Sequence, residues 1–202
     1  MFLKISGLVV RNLINQLPMF SVLILAFFIV RLILMYKKNK KINIHRELIF
    51  FYFLVYIAIV YQIVTMQDIS VGTSNFVPFR EIMRYSFGSS LFMLNVVGNI
   101  LMFIPFGFFI TYLIKRSNFF LVFFLSLFTT ATIEFSQLAV GRVVDIDDVI
   151  LNMVGAILGY IIYHLARLIY PKLPSFLKKK VFIHVFIIII SLVVIDYYFM
   201  KF

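Results

Sequence analysis

Residues 91–114 read LFMLNVVGNILMFIPFGFFITYLI, an unbroken stretch without a charged side chain. Wound as a helix at about 1.5 Å of rise per residue, such a run crosses the roughly 30 Å hydrocarbon layer of a bilayer. Comparable apolar runs lie near residues 17–36, 48–65, 119–140, 149–170 and 181–200, separated by short polar connectors. The expected fold is therefore all-α: a polytopic transmembrane helical bundle of about six spans. Composition agrees, since 63% hydrophobic against 13% charged residues leaves too little polar surface to coat a soluble globule of 202 residues. Nearly the whole chain is taken up by these runs, so chemistry must sit within the membrane or just above it. The chain has no cysteine, which removes disulfides, thiol catalysis, Cys-ligated zinc and a lipid-modified cysteine.

The net charge of +11 would suit a nucleic-acid partner in a soluble domain. Here the basic residues follow the connectors instead, and no nucleic-acid partner is expected. Lys37, Lys38, Lys40, Lys41 and Arg46 follow the first span, Lys115 and Arg116 the third, and Lys172, Lys178, Lys179 and Lys180 the fifth. Arg80, Arg84 and Arg142 alone occupy the alternate connectors, beside Asp68, Glu81, Asp145, Asp147 and Asp148. By the positive-inside rule the eleven face the cytoplasm, and both termini lie outside. Lys4 and Arg11 then belong to an interfacial N-terminal segment. Residues 1–28 lack a small-x-small cleavage site after the apolar run and read as an uncleaved anchor. The chain divides into 1–66 (interfacial segment and two spans), 67–90 (an outer loop with a surface helix near 79–88), 91–170 (a three-helix core) and 171–202 (a basic loop and a last span).

Polar residues inside spans carry the functional information, because an ionisable group in the bilayer costs several kcal/mol unless it faces protein or water. Glu134, Gln137 and Gly141 share one face of the fourth span at i, i+3 and i+7. In the third, Asn95 and Asn99 are i, i+4 neighbours, and Pro105 and Gly107 follow deeper, the proline removing a backbone donor and kinking the helix. Asp145, Asp148, Asn152, Gly155 and Gly159 form one stripe of the fifth, acidic above and glycine below. Under the topology above, Asn95, Asn99, Glu134, Gln137, Arg142, Asp145, Asp148 and Asn152 gather near the outer surface as one outward-facing polar pocket. Pro105, Gly107, Gly155 and Gly159 are assigned to packing. The histidines His45, His164 and His184 lie away from this set, and Arg31 reads as a snorkelling side chain near the inner end of the first span.

Three stretches together resemble the VanZ-like family of bacterial membrane proteins: N-x-x-G-N-x-x-x-F-x-P-x-G from Asn95 to Gly107, E-x-x-Q at Glu134 and Gln137, and R-x-x-D-x-x-D-x-x-x-N-x-x-G-x-x-x-G from Arg142 to Gly159. Upstream, N-F-V-P-F from Asn75 to Phe79 resembles the family's outer-loop N-L-x-P-F. The resemblance covers roughly residues 75–165 and makes spans three to five the family's core. It implies a multi-pass protein of the bacterial cell membrane, in a family whose named member is associated with resistance to teicoplanin and much less to vancomycin. The abundance of Lys, Asn, Ile and Phe fits an AT-rich genome and hence a Gram-positive source.

Two function classes follow. In the first, Asn75, Asn95, Asn99, Glu134, Gln137, Arg142, Asp145, Asp148 and Asn152 bind a lipid-linked ligand, a cell-wall precursor or a lipoglycopeptide, among membrane lipids. In the second, Glu134 is the general acid or base of an intramembrane enzyme acting on a phosphorylated lipid headgroup, with Asp145 and Asp148 placing a hard divalent cation. No serine elbow, H-E-x-x-H or P-loop accompanies these residues, so the non-enzymatic class leads and no cofactor is assigned. Against both stands a structural role, in which Glu134 holds helix register through Asn99 or Arg142 and the aspartates cap a helix.

Overall fold

A computed structural model of the chain describes residues 22, 24–38, 43–66, 74–114, 118–139, 141, 143–179 and 184–185. Among the described residues the protein is helical and has no strand. Four helices are long and apolar enough to cross a membrane, within Ile44–Met66, Ser90–Leu113, Phe119–Ala139 and Ile146–Lys172. Of the six expected spans, the sixth at 181–200 lies outside the described residues apart from His184 and Val185, and the first is described as a helix over 24–37. The chain forms two compact units, one of residues 1–62 with 174–202, the other of residues 63–173.

The first unit holds α1 (24–37) and most of α2 (Ile44–Met66). Asn43 accepts the Arg46 N–H at 3.3 Å, which starts α2. Arg31 of α1 meets Glu47 of α2. Its Nε donates to Glu47 Oε2 at 2.7 Å, its second nitrogen to Oε1 at 3.3 Å, and its guanidinium lies 4.1 Å from the Phe50 ring centroid. Arg31 thus does not snorkel to an interface as expected. The fork geometry of guanidinium and carboxylate satisfies both charges, with Glu47 only 4% exposed. His45 Nδ1 and His184 Nε2 stand 2.9 Å apart in the same unit.

The second unit holds α3 (Arg80–Arg84), α4 (Ser90–Leu113), α5 (Phe119–Ala139) and α6 (Ile146–Ile169), the last running into a 3-10 turn at Tyr170–Lys172. Each start has a local cause. Ser89 Oγ accepts the Phe92 N–H at 3.1 Å and caps α4, and Asp145 accepts the Asp147 N–H at 2.9 Å and caps α6. Gly141, at φ +84°, turns the chain between α5 and α6 in a conformation that L side chains rarely adopt. Pro171 lies just beyond the end of α6.

α6 is the central helix, packed along α4 and against α5 and α3. Its contact with α4 is a backbone contact. A Cβ on Gly155 would overlap the Ile100 carbonyl oxygen, one on Gly159 the Ile104 carbonyl oxygen, and one on Gly107 the Ala156 carbonyl oxygen. The paired positions advance together along both helices, so α4 and α6 run parallel and α5 returns between their ends. Such approach lets Cα–H groups meet carbonyl oxygens and maximises dispersion where lipid supplies no hydrophobic drive. On α5, Ser126 and Thr130 are fully buried and small, and Ser126 returns its hydroxyl to Val122 O at 2.7 Å, which satisfies that donor.

Replacing Gly155 or Gly159 by leucine should lower stability by about 1–3 kcal/mol, since backbone must move to admit the side chain. Ala166→Leu, on an exposed stretch of the same helix, should change it little. Thermal loss of helical circular dichroism in detergent checks this; equal melting of all three variants would show that the α4–α6 contact tolerates separation.

Candidate functional site

Because α4 and α6 begin where α5 ends, the polar residues of all three helices meet at one end of the second unit. The chain arriving from α2 is tied to this end first. Asn75 donates its backbone N–H to Val144 O at 2.8 Å and accepts the Ile146 N–H at 3.0 Å, an isolated parallel bridge to the connector between α5 and α6. Its side chain donates to Asp145 Oδ1 at 3.0 Å and accepts the Val77 N–H at 3.1 Å, shaping the turn before Pro78. Ser74 Oγ accepts the Val144 N–H at 3.2 Å. Asn75, 7% exposed, is therefore part of the clamp between loop and helix.

Asp147 forms the second tie. Its carboxylate, 1% exposed, accepts the backbone N–H groups of Phe79, Glu81 and Ile82, the last two at 2.7 and 3.1 Å. These are the orphan donors at the start of α3, so one buried anion satisfies the helix terminus and is itself solvated by it. Phe79 sits at φ 66°, a left-handed conformation costing about 1–3 kcal/mol for such a residue. Asp147 offsets that strain by holding the Phe79 N–H. The polar pocket expected from the sequence does not include Asp147. The available signal was its place four and eight residues before Leu151 and Gly155, on the buried face of α6.

The remaining polar residues link the helices. Asn99 Nδ2 donates to Asp148 Oδ1 at 2.6 Å, joining α4 to α6. Asn152 Nδ2 donates to Thr130 Oγ1 at 2.9 Å, joining α6 to α5, and Asn152 Oδ1 is buried without a partner among the described residues. Glu134, 4% exposed, accepts the Asp145 N–H on Oε2 at 3.1 Å. Gln137 is equally buried one turn on. Asn95 lies in a π-helical turn, Met93–Val97, and donates to Leu91 O of its own helix at 3.1 Å. Arg142 lies outside the described residues.

Two groups above the helices have displaced proton equilibria. Burial raises the Asp145 carboxyl above its ordinary range, partly offset by the hydrogen bonds from Asp147 N–H and Asn75, with Asp147 and Glu81 adding repulsion. Burial also raises the Tyr85 phenol, and Glu81, Asp148 and Asp145 push it the same way against Arg84. Tyr85, absent from the sequence reading, thus borders the acids. No pattern in its neighbourhood singles it out, because its place follows from how Asp147 docks α3.

The arrangement bears on chemistry. The hydroxyls flanking Glu134 in the sequence, Ser136 and Thr132, each donate to a carbonyl one turn back, Thr132 O and Phe128 O, both at 2.8 Å. Asp145 is committed to Asn75 and the Asp147 N–H, and Asp148 to Asn99. Among the described residues no three acidic or histidine side chains converge as a metal set. What the end does present is acceptor-rich: carboxylates of Glu134, Asp145 and Asp148 around a clamp made by Asn75 and Asp147.

Asp147→Ala should strip three backbone donors of their acceptor and cost about 2 kcal/mol or more, while Asp147→Asn keeps an acceptor oxygen and loses less. Deuterium exchange of the 76–85 backbone reads this directly: acceleration in the alanine variant is expected, and unchanged protection would remove Asp147 from that role. For Asp145 the sign follows from its raised carboxyl. Its contribution to stability is full below the unfolded value and is lost as pH rises through the folded one. Asp145→Asn should therefore flatten the fall in melting temperature as pH rises above the ordinary carboxylate range; a steeper fall would contradict it.

Comparison with curated proteins and with solved structures returns no match. The VanZ/LLP1 family matches residues 22–167, which takes in α4, α5, α6 and the clamp together with both helices before them. With most of its length matched, and with the family's polar motifs placed at one end of three membrane-length helices, the chain belongs to the VanZ/LLP1 family.

Proposed function

We propose that this membrane protein binds a lipid-linked envelope ligand at the polar end of α4–α6, with that end facing outward from a bacterial cell membrane. The supporting observation is Glu134: a carboxylate buried within a membrane-length apolar helix, at the level of Asp145 and one end of the bundle. Ionisable groups at such depth are costly and are kept where something polar must be held or passed. The charge asymmetry of the connectors supports the outward orientation.

In this reading the ligand's lipid tail lies along the apolar flanks of the helices and its headgroup meets the polar end. Asn95 and Tyr85 stand at the rim, Glu134 and Asp148 further in, and Arg142, in the α5–α6 connector, supplies a cation for phosphate. Asn75 and Asp145 hold the loop above them. Binding of a wall precursor or a lipoglycopeptide at this place accounts for a contribution to teicoplanin resistance, because teicoplanin carries a lipid anchor and vancomycin does not. A divalent cation or a chemical step is not required.

The test is susceptibility of a Gram-positive host carrying no insert, the wild-type chain, Glu134→Gln or Arg142→Ala, matched for membrane abundance. Wild type should raise tolerance to teicoplanin far more than to vancomycin, and each variant should lose most of the gain, as expected from a roughly tenfold weaker site. Wild type without effect on either drug would sink the resistance role, and variants equal to wild type would sink the site.

A further inference from the structure

The segment between Asn75 and α4 has an unusual surface. Phe76 is 71% exposed, Met83 82% and Phe87 93%, and Val77 and Phe79 are more than half exposed. Among them stand two arginines one helical turn apart, Arg80 and Arg84, the latter 71% exposed and paired with Glu81 at 3.2 Å. Large apolar side chains this exposed on a loop call for an occupant. Those on α5 and α6 need no separate explanation, since those helices are long enough to lie within the bilayer.

Three observations identify the occupant. The membrane-length helix α4 begins at Ser90, so residues 76–87 lie at the boundary of the hydrocarbon layer. The apolar surface continues across that boundary without a break: Phe87 packs on Phe92 at 5.1 Å between ring centroids, and Leu91 is 58% exposed. The charge is complementary as well, because phosphates of anionic lipid attract arginine within a Debye length while aromatic and Met side chains enter the acyl boundary.

We propose that residues 76–87 form an interfacial paddle seated in the leaflet at the polar end, with Phe76, Met83 and Phe87 in the acyl boundary and Arg80 and Arg84 on anionic headgroups. Asp147 gives the paddle its rigidity. By fixing the N-terminus of α3 it sets the segment in one pose rather than letting the apolar side chains fold onto the bundle. The paddle does not depend on the ligand reading, and it holds for either orientation of the chain in the membrane.

The chain contains no tryptophan, so Phe87→Trp and Met83→Trp each introduce a single emitter, and Phe128→Trp, at a 72% exposed position of α5, gives a reference within the bilayer. Each is reconstituted as the full chain in vesicles of phosphatidylcholine, with or without phosphatidylglycerol and with chain-brominated lipid. The proposal expects blue-shifted emission at both paddle positions, quenching by bromine near the headgroup, and protection from aqueous iodide. Phosphatidylglycerol should deepen the quenching, and Arg80→Gln with Arg84→Gln should abolish that increment, by about fivefold in the inserted-to-free ratio for each arginine. Emission at both positions that is red and quenched by iodide overturns the proposal. So does a blue shift that scales with protein density and not with bromolipid, which would make a second copy of the chain the occupant.

Discussion

The carbonyl oxygens of Ile100 and Ile104 occupy the space that side chains on Gly155 and Gly159 would need. The polar contact between α4 and α6 at the far end of the bundle depends on that approach. Parallel helices in backbone contact have one register, and this register sets Asn99 opposite Asp148 and leaves Asp147 on the face of α6 that meets the loop. Larger residues at the glycines would separate the helices beyond the reach of an amide and a carboxylate. Packing in the apolar half is thus what fixes the chemistry in the polar half.

Four carboxylates lie at that end, and they are held in different ways. Asp147 is solvated by three backbone N–H groups, Asp148 by an asparagine, Asp145 by an asparagine and one backbone N–H, and Glu134 accepts the N–H of Asp145. Carboxylates crowded at one place repel one another when charged, and here they draw their donors from different elements. The clamp at Asn75 and the docked α3 are the donors that the three membrane helices cannot supply, since a helix interior consumes its own N–H groups. The loop before α4 is therefore a structural part of the polar end and not an appendage to it.

Much of this was legible in the sequence, and the residues that were not have a common character. The membrane helices follow from apolar run length, and the stripe from Asp145 to Gly159 from helical spacing. Periodicity relates residues within one helix only. Arg31 and Glu47 meet from two different helices, α1 and α2, and Asp147 reaches Phe79 across 68 positions. Asn75 looked like a ligand-binding residue because it is polar and belongs to a motif. Its two backbone and two side-chain bonds place it in the clamp, and nothing local to N-F-V-P-F distinguishes the two uses.

The internal bonds also limit what a ligand can use. Asn99, Asn75 and Asp145 already hold partners, and displacing them would expose buried charge at a cost above what a headgroup hydroxyl returns. Under the proposed binding, a ligand would instead add to groups at the rim, such as Asn95 in its π-turn. Recognition of that kind leaves the fold intact on binding and on release. Under the proposed binding, the lipid part of the ligand would lie against the helices and carry most of the affinity, while the polar end would select the headgroup. A lipid-anchored compound and its lipid-free analogue would then differ sharply at this site even with identical headgroups, which is the distinction drawn between teicoplanin and vancomycin.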